Sequence, residues 1–133
     1  MSTNFHVYLA TKSLPSPSKW QAEITKMNSS LIMDTDINLV TFSGFLPFQF
    51  NQEITGFEYC SWFIDHEEKQ EVNIPSADFC MCFSIGNNPL ELTITVISIY
   101  CLIKLTDGVL FDPQKGIYIE PSNIFTWKKE MLT

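Results

Sequence analysis

The topology of this chain turns on one segment: Asn88-Pro89-Leu90-Glu91-Leu92-Thr93-Ile94-Thr95-Val96-Ile97-Ser98-Ile99-Tyr100-Cys101-Leu102-Ile103-Lys104-Leu105-Thr106-Asp107-Gly108. Its middle, Leu92 to Tyr100, is rich in β-branched residues and alternates, as a strand does. Its ends point the other way. Asn88 offers a side-chain cap, Pro89 suits a first helical position that needs no N–H, and Glu91 follows at capping-box distance. Asp107-Gly108 supplies a stop. A run of about seventeen residues without Gly or internal Pro is also long for a strand, usually roughly 5–6 residues. The end signals and the length predict a buried helix from Pro89 to Thr106, with tertiary burial overriding propensity.

The flanking segments follow from this helix. Ala77 to Ile85, just before it, is a nearly continuous apolar run, as in a strand covered on both faces. After it come a strand at Val109-Leu110-Phe111, a turn from Asp112 to Gly116, and a short strand at Ile117-Tyr118-Ile119. A last helix starts at Pro121 or Ser122, with Ile124, Trp127 and Met131 on one face. Toward the N-terminus, Phe5 to Ala10 reads as a strand. Ser16 and Pro17 open a helix whose apolar stripe is Trp20, Ile24 and Met27, and Asn28 suits its end. Leu31-Ile32-Met33 is a short strand. Gly44–Phe50 and Ile54–Ile64 form a pair joined by Asn51-Gln52-Glu53, and Pro47 assigns the first of them to an edge or a bulge. Asp65 to Asn73 reads as an exposed loop or short helix. The order β-α-β-β-β-β-α-β-β-α predicts an α+β two-layer sandwich, a mainly antiparallel sheet with helices on one face. No repeat or linker interrupts it, and 133 residues fit a single domain over 1–133.

Composition narrows the function classes. The chain is 45% hydrophobic and 14% aromatic, so it can fill a core without disulfides or metal. It has 15 acidic residues against 8 basic ones, a net charge of −7, and every basic residue is Lys. Without Arg or a basic patch, neither nucleic acid nor an anionic membrane surface suits it as a partner. The N-terminal segment lacks the basic start and apolar run of a signal peptide. The longest apolar stretch, Leu90 to Leu105, carries Glu91 and Lys104 and is shorter than the roughly 20 residues a bilayer needs. A cytoplasmic protein is expected.

Signatures of chemistry are sparse. The five glycines stand singly, and there is no phosphate loop, nucleophile elbow or Cys-x-x-Cys. Cys60, Cys80, Cys82 and Cys101 all lie in apolar runs, which favours buried thiols. Cys80 and Cys82 share one face of a strand but make only half of a four-ligand zinc site. His6 is expected to be a satisfied core or edge histidine. His66, in Asp65-His66-Glu67-Glu68, belongs to a solvated loop with no defined metal spacing. A Cys60–His66 pair is conceivable only if folding brings them together. The chain is expected not to be an enzyme and to hold no cofactor or metal. The alternatives are an enzyme of unrecognised type using Cys60, His66 or nearby carboxylates, and a structural or adaptor subunit.

One cluster stands out. Glu53, Glu58, Asp65, Glu67, Glu68, Glu71 and Asp78 face Lys69 alone within that span, interleaved with Phe57, Tyr59, Trp62 and Phe63. An acidic face of this kind steers a basic protein ligand to a fast encounter, and aromatics supply anchors.

Three islands carry a resemblance: Leu14-Pro15-Ser16-Pro17-Ser18-Lys19-Trp20-Gln21, Ser43-Gly44-Phe45-Leu46-Pro47 with Gly56-Phe57-Glu58-Tyr59, and Leu105 to Gln114. Together they resemble a group of small bacterial proteins of unassigned function. Small acidic proteins of this general kind include immunity proteins of contact-dependent growth inhibition and related toxin systems. The resemblance implies an α+β fold and a toxin domain as the ligand, and it transfers no functional residues.

Overall fold

In the computed structural model, which describes residues 2–133, the segment that sets the topology is helical. Helix α3 runs Pro89–Thr106. The Asn88 side chain accepts from the amides of Leu90 at 2.8 Å and Glu91 at 3.4 Å. At the other end Asp107 takes the left-handed conformation, φ 56°, and its amide donates to the Ile103 carbonyl at 2.8 Å. Every residue from Ile94 to Ile103 is buried, so the helix is apolar on all sides and carries no amphipathic stripe. Three of its threonines turn back on the helix itself, while the buried Ser98 hydroxyl has no hydrogen-bond partner among the described residues. The Thr93, Thr95 and Thr106 hydroxyls donate to the carbonyls of Pro89, Glu91 and Leu102. By length and composition α3 could also cross a membrane, but 56% of that window is buried inside the protein.

Helix α3 lies on a seven-stranded sheet of order β2-β3-β4-β5-β1-β6-β7, in which every neighbouring pair is antiparallel. The strands are β1 Thr3–Leu9, β2 Leu31–Met33, β3 Gly44–Phe50, β4 Glu53–Phe63, β5 Phe79–Ile85, β6 Val109–Asp112 and β7 Ile117–Ile119. Two further helices, α1 Pro17–Met27 and α4 Ile124–Met131, flank α3 on the same face. Ser16 caps α1 by accepting from the Lys19 amide. Trp20, on α1, is fully buried and donates Nε1–H to the Ser98 carbonyl at 2.9 Å. On α4, Trp127 meets Phe5 edge-on. The core is therefore one layer of side chains: Phe5, Val7 and Leu9 of β1 and Phe79, Met81 and Phe83 of β5 beneath the three helices. The α+β assignment holds.

Several boundaries shift from the sequence reading. The first strand ends at Leu9 and not at Ala10, and β4 begins at Glu53 and closes at Phe63. Strand β3 is second from the edge, yet Pro47 still acts as an edge residue. The Asp34 amide donates to the Pro47 carbonyl at 3.1 Å, and Pro47 has no N–H to return, so the ladder with β2 stops there.

The polar stretch forms a short helix, α2 His66–Val72, placed apart from the other three. It packs against the opposite face of the sheet, where Val72 joins a small cluster of Tyr8, Ala77, Cys80, Trp62, Ile64, Ile74 and Phe111. Strand β5 is therefore covered on both sides near Cys80, which accounts for its continuous apolar run.

Candidate functional site

Strand register fixes what the second face of the sheet presents, because side chains alternate along each strand. One row across the strands is Phe45, Glu58, Ser84 and Asn4. The next is Cys60, Cys82, His6, Phe111 and Tyr118. A third, Trp62, Cys80, Tyr8 and Val109, includes the residues packed beneath α2. Beyond the first row, Ile32 and Ile54 are exposed at 47% and 65%. We call this the outer face.

The seven carboxylates singled out in the sequence do not form one continuous acidic face. Strand β4 is eleven residues long, so Glu53 at its start lies on the order of 30 Å from Asp65, just beyond its end. Asp65, Glu67, Glu68, Glu71 and Asp78 belong to the α2 end, and Glu58 stands alone in mid-sheet.

Three of these acids also have structural duties. Asp65 caps α2, accepting from the Glu68 amide at 2.8 Å. Glu68 accepts from Trp62 Nε1–H at 2.9 Å and, at 3.5 Å, from the Tyr8 hydroxyl, so it pins α2 to the sheet. Asp78 accepts from both the amide and the hydroxyl of Thr11 at 2.7 Å, which holds its carboxyl below the usual range. Asp65 and Glu68 are thus committed to holding α2 and are not free surface carboxylates. Glu67 and Glu71 are exposed and have no hydrogen bond or ion pair among the described residues. Of the interleaved aromatics, Phe57 and Tyr59 are core, Trp62 is held by Glu68, and Phe63 is 59% exposed.

The histidines depart from the reading in one respect. His6 packs against the rings of Trp62, Phe111 and Tyr8, but its buried Nδ1 has no hydrogen-bond partner. It is not the satisfied histidine expected. Burial lowers its pKa, opposed more weakly by the Glu68 carboxylate. His66 opens α2 and is exposed, with a ring nitrogen 3.2 Å from Gln70 Nε2. No hydrogen bond joins it to Cys60 among the described residues, so the conceivable Cys–His pair is not assembled. Nor, among those residues, does any group of three or more His, Cys, Asp or Glu side chains gather so as to hold a metal ion.

All four cysteines are free thiols. Burial pushes Cys101 up to about 12 and Cys82 up to about 11, and Cys80 higher still. Such thiols stay protonated near neutral pH and are poor nucleophiles. Cys60 and Cys82 are direct cross-strand partners. Counting in twos from the Ile64-to-Asp78 backbone bond places them at a hydrogen-bonded position, where facing side chains stand farther apart. We predict the same intact mass with and without reductant. A reductant-dependent gain of two hydrogens would mean that Cys60 and Cys82 close a bridge.

One feature escaped the sequence reading. A groove of about 360 Å³ is lined by Phe45, Gly56, Glu58, Ser84, Gly86 and Glu91, among others. Its sequence signal is Gly56 in a β-rich run, a mark of close backbone approach. A Cβ at Gly56 would sit 2.1 Å from the Leu46 carbonyl oxygen and 3.1 Å from Phe45 Cζ, so the Phe45 ring lies over the glycine.

No family model, curated protein or solved structure matches this chain. The chemistry of the outer face is therefore the starting point for a functional reading.

Proposed function

We propose that this chain is an acidic protein-binding module of the immunity type, which holds a basic toxin domain in the cytoplasm and blocks its active site or substrate face. The observation that carries the reading is the outer face of the sheet. It is left open beyond α2, where exposed Ile32, Phe45 and Ile54 stand with the exposed carboxylate Glu58, and α2 at the other end adds the exposed Glu67 and Glu71. Exposed apolar groups on a sheet face favour a protein partner. The charge of −7 selects a basic one and speeds its approach. Acidic side chains set against a positive substrate groove would imitate the phosphates of a nucleic-acid substrate.

The test is association with any toxin domain found encoded beside this gene. Glu67→Lys with Glu71→Lys is the informative variant, because both side chains are exposed and neither holds α2 in place. Glu68 is left intact because its loss would free α2 from Trp62. Association should slow by about tenfold at low salt, with the difference shrinking as salt rises. An unchanged rate in a folded variant would place the interface elsewhere, and a neighbouring toxin that does not bind would remove the immunity reading.

A further inference from the structure

We infer that the groove beside Phe45 is an anchor site for one arginine side chain of a protein ligand; this rests on the reading above for the partner's basic character, but not for the groove's own chemistry. The floor is aromatic and accessible. Phe45 covers Gly56 with its ring and remains 45% exposed. Glu58 is its direct cross-strand partner and is exposed. From the other wall comes Glu91, in the first turn of α3. Its Oε1 accepts from the Gly86 amide at 3.1 Å, and its Oε2 has no hydrogen bond among the described residues. No lysine lines the groove.

Two carboxylates beside an aromatic ring, with no lysine among the described lining residues, favour a positive occupant. The flat guanidinium fits better than an ammonium. It stacks on a ring, and its fork of donors engages a carboxylate with two bonds at once. A volume of about 360 Å³ holds a side chain, and the open rim lets it arrive on a protein. Exposed Ile54 and Ile32 continue the apolar surface for the residues around that arginine.

The experiment titrates the full ¹⁵N-labelled chain with N-acetyl-arginine methylamide, and with N-acetyl-norleucine methylamide as the uncharged comparison. Saturable shifts should centre on the amides of Gly56, Ser84 and Gly86, with the arginine compound favoured by about fivefold or more. Phe45→Leu keeps an apolar cover over Gly56 but removes the ring. Glu58→Gln removes one charge, and Glu91→Gln removes the other while keeping an acceptor for Gly86. Each should weaken binding by about threefold or more in a chain whose remaining spectrum is unchanged. Equal shifts from norleucine, shifts scattered over other surfaces, or indifference to Phe45→Leu would overturn the inference. Were the toxin domain still bound in a manner sensitive to Glu67 and Glu71, only the groove assignment would fall. Arginine binding in the groove with no toxin partner would leave the groove standing and remove the immunity reading.

Discussion

Gly56→Ala should be among the most damaging additions of a single methyl group to this chain. The new Cβ would stand 2.1 Å from the Leu46 carbonyl oxygen and 3.1 Å from its carbonyl carbon. Both are backbone atoms of β3, locked by pairing from Gly44 with Tyr59 to Phe50 with Glu53, so they cannot move aside as a flexible side chain would. Gly56 also holds φ at +145°, where an L side chain is strained by roughly 1–3 kcal/mol before any collision. The two effects together should cost at least about 3 kcal/mol, or leave no folded protein. Urea unfolding followed by circular dichroism measures this. Gly116→Ala is the internal comparison, since Gly116 also has positive φ, +66°, but open space around it. That change should cost only about 1–2 kcal/mol. A Gly56→Ala chain within about 1 kcal/mol of the parent would mean that the β3–β4 hairpin can open at this point.

Trp20→Ala should come next. The indole is completely buried, meets Phe83 edge-on at 6.2 Å between ring centroids, and ties α1 to α3 through Ser98. Removing it leaves a cavity at the junction of two helices and the sheet, for a loss of about 3–5 kcal/mol. Trp20→Phe keeps most of the volume and gives up the hydrogen bond, so about 1–2 kcal/mol is expected. Equal losses for the two variants would show that the bond to Ser98 outweighs the packing.

What could be read from the sequence was mainly what lies at element ends. Asn88, Pro89 and Asp107 mark α3 because caps are local chemistry. The interior of α3 misleads because a helix buried on all sides needs no stripe, and β-branched residues fill its surroundings well. The position of α2 was hidden for the opposite reason. Its seven residues are almost all polar, and it is held by bonds from Glu68 to Trp62 and to Tyr8, the latter sixty positions away. The acidic cluster looked continuous because sequence distance ignores that an eleven-residue strand carries its two ends far apart. The groove left only Gly56 as a signal in the sequence, because Phe45, Glu58 and Glu91 line one site only after β3, β4 and the start of α3 are in place.

The order of the sheet also bears on how the chain is made. Strand β1 lies between β5 and β6, yet β5 starts only at Phe79 and β6 at Val109. At roughly 5–20 residues per second, a ribosome takes several seconds to make the segment between β1 and β5. Throughout that time Phe5, Val7 and Leu9 are apolar groups with no neighbouring strand, while the later β3–β4 hairpin can already close on itself. The nascent chain therefore holds its earliest strand in waiting, and a delay in translation before Phe79 would lengthen its exposure to wrong strand partners.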